Sequence, residues 1–303
     1  MRKYSHSAFK TFQRCAKKWS YIYIDKIVPK ESPVYLTRGI NLHEHLAVLY
    51  DHDYMGAGRE LTDEDTALLM RYHDKWHAED VGWKVISVEE DYEFEVAGFP
   101  VVFKPDLVVE INGEVWIVDH KTTVNIPDEW DPYNMSDFQH LLYVAGLRSL
   151  GYDVKGFIFN YIRTKAPTQP ALVKAGDRIA YLAKMDTDYN TLLNFALEHK
   201  METDTDVREK LTILRHAPDK FFQRHFLIVP ETAINEMLID VENILIEMAE
   251  SEITGGYPRH VVAKHGGSQA CGRCPYQPLC HAELLGIDTE PILLEYKERE
   301  KRK

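Results

Sequence analysis

Residues 104–123, KPDLVVEINGEVWIVDHKTT, decide how the chain folds. Two apolar runs, 107–109 and 115–118, flank Asn112-Gly113, a dipeptide that suits the left-handed backbone of a tight hairpin turn. Each run is nearly continuous rather than alternating, as expected of strands covered on both faces. Asp106 stands just before the first run and Asp119 just after the second, so both carboxylates sit at the margin of a buried sheet. An unpartnered buried carboxylate costs several kcal/mol, and two close together also repel. A divalent cation would resolve that conflict. Alternation along the strand puts Asp119 and Lys121 on one face and His120 on the other.

Upstream, residues 83–95 alternate polar and apolar as a single strand would, and Gly98-Phe99-Pro100 turns into a further strand over 101–104. Glu89 and Glu90 could approach a cation at the hairpin, or face solvent. Residues 5–27 read as one helix, with Ser5 or Ser7 as N-cap and Phe9, Phe12, Trp19, Ile22 and Tyr23 at helical intervals. A second helix begins near Leu36 and carries Gly39, His43 and His45. Residues 50–82 read as an acid-rich helical segment in which Leu68, Leu69, Tyr72 and Trp76 pack and no chemistry is expected.

Downstream, a loop over 125–136 leads to a helix from about Asp137, on which Gln139 and Tyr143 share a face. Residues 154–163 make another buried strand, and 177–251 are mostly helical, with a break near Pro218 and another at Pro230. Within that segment, residues 221–225 (FFQRH) offer aromatic and cationic groups to a single nucleic-acid strand, or equally to the core.

The four cysteines are Cys15, Cys271, Cys274 and Cys280, the last three in a C-x2-C-x5-C cluster. With no apolar leader at the N-terminus, a cytoplasmic location is expected, and thiolates then bind metal more readily than they form disulfides. The spacing alone admits zinc or an iron–sulfur cluster. No run approaches the ~18 apolar residues of a membrane span. The 303 residues, 45% hydrophobic and 28% charged, suit a globular protein, and the formal charge of -12 argues mildly against one that coats nucleic acid. Basic residues are concentrated at the two ends of the chain.

Pro105-Asp106 and Asp119-His120-Lys121 together resemble the motif of the PD-(D/E)xK nuclease superfamily. Cys15 in its aromatic helix, Gly39 with His43, Gln139 with Tyr143 and the terminal cysteine trio resemble, in the same order, the RecB-like iron–sulfur branch, which includes AddB-type subunits and CRISPR-associated adaptation nucleases. The resemblance implies an α/β, restriction-endonuclease-like core: a mixed central sheet flanked by helices, with a helical subdomain and an iron–sulfur clamp joining the two ends. It implies one nuclease domain over 1–290 (core 83–165, helical part 177–251, cluster-binding ends 5–27 and 265–285) and a charged tail over 291–303. His43, Asp106, Asp119 and the backbone carbonyl of His120 would hold Mg2+ or Mn2+. Lys121 would assist the nucleophile, and Gln139 and Tyr143 would position DNA. Cys15, Cys271, Cys274 and Cys280 would hold a 4Fe-4S cluster, with zinc as the alternative. The implied activity is metal-dependent hydrolysis at single-stranded or duplex DNA ends in recombination, repair, or phage- or CRISPR-related processing. A non-catalytic DNA-binding or assembly protein, or a restriction-type endonuclease, are the alternatives on the same scaffold.

Overall fold

The computed structural model describes residues 2–31, 34–51, 60–126, 138–174, 178–259, 269–272 and 274–299. The N-terminal part supplies α1 (His6–Arg14), α2 (Ala16–Tyr23), β1 (Ile27–Pro29), α3 (Val34–Tyr50) and α4 (Asp63–Asp80). Strands β2 (Lys84–Val88), β3 (Tyr92–Val96), β4 (Phe99–Phe103), β5 (Leu107–Ile111) and β6 (Glu114–Thr123) follow, then α5 (Phe138–Ser149) and β7 (Val154–Arg163). A helical pair, α6 (Tyr189–Glu198) and α7 (Thr205–His216), leads to β8 (Phe222–Ile228) and the long α8 (Glu231–Thr254). Short elements complete the chain: α9 (Gln269–Gly272), α10 (Gln277–Leu285), α11 (Glu290–Leu293) and β9 (Tyr296–Glu298).

The expected hairpin is β5 paired with β6, Leu107 opposite Val118 and Val109 opposite Trp116, closed by Asn112 and Gly113 at φ 52° and 84°. It lies inside a five-stranded mixed sheet of order β2-β5-β6-β7-β8. Among the described strands of this sheet only the β6–β7 pair is parallel, so the chain must cross over between those strands, and α5 lies on that crossover. Leu107, Val108, Val109, Ile117 and Val118 are fully buried, as near-continuous apolar strands require. Val108 and Ile117 join the core under α1, α5 and α8, while Leu107, Val109, Trp116 and Val118 face the other way. On that second side Leu42 and Leu46 of α3 pack with Leu68, Leu69 and Tyr72 of α4. Each fully buried aliphatic or aromatic side chain contributes ~1.5–3 kcal/mol.

Several expected boundaries shift. Residues 5–27 form two helices because Cys15 leaves the helix at φ -168°, ψ 106°; its sulfur then caps the second helix by accepting from Lys18 N–H. Ser5 caps the first. The alternating run 83–95 is two strands, not one. The chain turns at Glu89 (φ 47°), after which β3 and β4 make a separate hairpin. The mostly helical stretch 177–251 contains the sheet strand β8, and the expected tail contains β9, which pairs antiparallel with β1. Tyr21, Tyr276 and Tyr296 stack beside that pair at 5.4 and 5.5 Å, bringing the two ends of the chain together. Most of the loop expected over 125–136 lies outside the described residues. No helix among the described residues is long and apolar enough to cross a membrane.

Strand β7 approaches β8 closely at Gly156, where an added Cβ would lie 2.0 Å from the Leu227 carbonyl oxygen. Gly156→Ala should therefore force the two strands apart and destabilise the protein by about 1–3 kcal/mol. A shift of the denaturation midpoint to lower urea concentration checks this, and an unchanged midpoint would contradict the close approach.

Candidate metal and catalytic site

The hairpin places its acids at the end of the sheet. Asp106 sits in the turn into β5, and its Oδ2 accepts the backbone N–H of His120 at 2.7 Å. His43, presented from α3, brings Nδ1 to 3.3 Å from the same oxygen. Glu89, at the end of β2, is drawn in because its own N–H donates to the Asp106 carbonyl at 3.1 Å, and its carboxylate lies 3.3 Å from Lys104 Nζ. Ligand atoms of His43, Glu89 and Asp106 all lie within 4.8 Å of one another, a group able to hold a metal ion. Of the two glutamates named from sequence, Glu89 therefore joins the group, while Glu90 is exposed and accepts from Tyr92. Of the two histidines, it is His43 and not His45.

Asp119 and Lys121 share a face, as alternation requires, and Lys121 Nζ lies 2.6 Å from Asp119 Oδ2. Gln139 Nε2 donates to Asp119 Oδ1 and to the Tyr143 hydroxyl, both at 3.3 Å. The α5 pair thus meets the hairpin from the opposite side of the sheet to His43. Burial alone would raise the pKa of Asp106, but His43 and the His120 amide outweigh it and hold the carboxyl at about 2. Asp119 goes the other way: burial, with the Asp106 charge added, overcomes Lys121 and lifts it to about 6. Burial disfavours a charged His43, yet Asp106, Asp119 and Glu89 together raise it to about 9. Glu89 is raised by burial and by Asp106, with Lys104 opposing. Two carboxylates, Asp106 and Glu89, thus meet at one point with the Asp119 charge nearby, and the proton on His43 is what a divalent cation would displace.

His120 points to the α3 and α4 side, where its ring stacks on Tyr50 at 5.9 Å. Asn160, its cross-strand partner in β7 and fully buried, donates through Nδ2 to His120 Nδ1 at 2.7 Å and to the Tyr72 hydroxyl at 2.6 Å. Arg224 of β8 donates through Nε to Asn160 Oδ1 at 3.3 Å. Its guanidinium is flanked by Trp76 and Trp83, at 4.0 and 4.5 Å, and pairs with Asp80 at 2.8 Å. Burial pushes the His120 imidazole down to about 3. The ring is neutral, with Nδ1 as acceptor.

The segment 50–82 was expected to carry no chemistry, yet Tyr50, Tyr72 and Asp80 hold the residue at the centre of the D-x-K motif. Asn160 was readable as the one amide inside an apolar strand. Of the run 221–225, Phe221 and Phe222 are core and Arg224 is spent on Asp80, so these three do not face a nucleic-acid strand.

The four cysteines are half-buried and unbridged. The Cys280 sulfur accepts from Arg259 Nε at 3.2 Å, and the Cys15 sulfur from Lys18 N–H at 3.4 Å. Burial raises the Cys274 thiol, and Cys15 and Cys271 are near enough to raise it further. Among the described residues no three of these sulfurs lie within 4.8 Å of one another.

A family model described as the PD-(D/E)XK nuclease superfamily matches residues 57–281. No curated protein matches the chain. Among solved structures, a candidate exonuclease from Eubacterium rectale aligns over 87% of this chain and 86% of its own, with 13% identity and a TM-score of 0.50. That likeness is one of fold. The structure of SSO0001 aligns over 92% of this chain and 86% of its own, with 14% identity and a TM-score of 0.33.

Asn160→Ala leaves His120 Nδ1 and Arg224 Nε without their buried partner. It should cost about 1–3 kcal/mol of stability. It should also weaken divalent-cation binding at the His43–Glu89–Asp106 group about tenfold, because the His120 amide holds Asp106. Titration calorimetry of Mn2+ into the DNA-free protein measures the second effect, and an affinity equal to wild type would remove Asn160 from the site.

Proposed function

Because the chain belongs to the PD-(D/E)XK nuclease superfamily, we propose that it is a metal-dependent deoxyribonuclease that hydrolyses phosphodiester bonds at DNA ends. The observation that carries this reading is the convergence of His43, Glu89 and Asp106 beside the Asp119–Lys121 pair. Such a donor set, one imidazole among carboxylates, fits Mg2+ or Mn2+.

His43, Asp106, Asp119 and the His120 carbonyl, with Glu89 added, would hold the cation. When bound, it lowers the pKa of a water molecule and stabilises charge on the scissile phosphate. Lys121, fixed by Asp119, orients the attacking water and offsets the charge that develops on the phosphate oxygens. Gln139 keeps Asp119 turned to Lys121 by holding its other oxygen, and Tyr143, next to it, bears on the DNA. End-directed action is favoured by the fold likeness to a candidate exonuclease. A cytoplasmic role in recombination, repair, or phage- or CRISPR-related DNA processing completes the reading.

The cysteine site is assigned to the RecB-like iron–sulfur branch of the same superfamily, with Cys15, Cys271, Cys274 and Cys280 as ligands of a 4Fe-4S cluster. Support comes from the donor set: four half-buried thiols from both ends of the chain, two of them already accepting N–H donors. A cluster also takes thiolates further apart than a single zinc ion does. Its role is structural, fastening the N-terminal helices to α9 and α10.

Asp119→Asn and Lys121→Ala should each lower cleavage of end-labelled linear DNA in Mn2+ by at least about a hundredfold, with circular dichroism unchanged and wild-type cleavage lost in EDTA. Either variant cutting at the wild-type rate would sink the assignment. Cleavage of closed circular DNA at a similar rate would instead favour an endonuclease. Separately, protein purified without oxygen should be brown, and Cys274→Ser should lose that visible absorbance. A colourless wild-type protein containing zinc would replace the cluster with a zinc site.

A further inference from the structure

The sheet carries a second polar strip on the face of Lys121. Strand register sets Lys121 opposite Tyr161 of β7 and Tyr161 opposite Gln223 of β8, with Asp119, Phe159 and His225 forming the row behind. Side chains opposite one another share a face, as the His120–Asn160 hydrogen bond on the other face shows for the same register. Tyr161 therefore stands one strand spacing, about 4.8 Å, from Lys121 along the sheet. Its ring lies beside Phe159 at 6.4 Å and meets the His225 ring at 5.8 Å and 73°. His225 Nε2 is 3.1 Å from Gln223 Oε1, which fixes the imidazole plane. Tyr161, Gln223 and His225 are half-buried, and β8 is the edge strand, so the strip runs outward from Lys121 to the rim of the sheet. Lys121 and Asp119 both act electrostatically on the Tyr161 phenol, in keeping with that proximity.

Two aromatic planes at nearly a right angle form a corner in which a flat heterocycle can lie on one ring and abut the other. A phosphate held at Lys121 places its neighbouring nucleotide beside this corner. We propose that Tyr161 and His225 form a stacking subsite for the nucleobase next to the scissile phosphate, with Gln223 orienting His225. This rests on the nuclease reading above. It also relocates the stacking contribution of the run 221–225: its phenylalanines are core, and its histidine, backed by a tyrosine from the adjacent strand, faces the substrate side. Because any base has a π-face, the subsite is indifferent to sequence, as a nuclease acting on arbitrary ends requires.

The test uses the full-length wild-type protein, Tyr161→Phe, Tyr161→Ala and His225→Ala. The substrates are an intact oligonucleotide and a set bearing one abasic nucleotide at each of the first four positions from either end. For the wild type, one abasic position should raise KM about tenfold, the size of one lost base stack. Tyr161→Ala should raise KM to a similar degree on intact DNA, with kcat little changed and no further penalty from the abasic position. His225→Ala should do the same to a smaller degree, and Tyr161→Phe should behave as wild type. Such non-additivity is the sign of direct contact, which a merely structural role would not produce. Additive losses, or KM values unmoved in both alanine variants, overturn the subsite while cleavage itself upholds the nuclease. No cleavage by the wild type with either metal ion overturns both. His225→Ala, on the edge strand, keeps the test open if Tyr161→Ala does not fold.

Discussion

The hydrogen bond from the His120 main chain to Asp106 joins the two strands of the central hairpin where the candidate metal ligands gather. His120 serves the site through both its main chain and its ring. Its amide fixes the carboxylate around which His43 and Glu89 gather, and its ring is held from below by Asn160, Tyr50 and Tyr72. Asn160 in turn depends on Arg224, and Arg224 on Asp80, Trp76 and Trp83. A buried guanidinium is tolerable only when paired and hydrogen-bonded. The whole set must therefore assemble together, and it ties α3, α4, β2, β7 and β8 to one residue of β6.

How far this was legible depends on the range of the interactions. The β5–β6 hairpin could be read because its signals are local: two apolar runs and a turn dipeptide. The shared face of Asp119 and Lys121 followed from the period of a strand, and the shared face of Gln139 and Tyr143 from that of a helix. The break at Glu89 could not be read, because it is set by a backbone bond to Asp106 across the chain. Strand β8 was hidden for a related reason. Its centre reads Gln223, Arg224, His225, a polar triplet that fits a strand only once Asp80, more than a hundred residues away in sequence, neutralises the arginine. The helix bearing Asp80 gave no local sign of that role.

The charge distribution has a similar explanation. The N-terminal basic residues stood out against a chain of net charge -12. In the fold Arg2 pairs with Glu252 of α8, Lys17 with Glu283 of α10 and Lys3 with Glu93 of β3. Each is worth little alone, about 0–1 kcal/mol, but all three join the first twenty residues to parts of the chain made much later. The acidity of the middle and end of the sequence is thus partly the counterpart of its basic start.

The β1–β9 ribbon sets a schedule for biosynthesis. Ile27 pairs with Glu298, so the first strand leaves the ribosome long before its only partner among the described strands has been translated. At bacterial and eukaryotic elongation rates of ~5–20 residues per second, roughly 15–50 s separate the two. During that interval the aromatic surface of Tyr21 and the thiol of Cys15 wait without Tyr276, Tyr296 or the later cysteines. The nascent chain can therefore build its central sheet first, but the β1–β9 junction cannot close until Glu298 has been made.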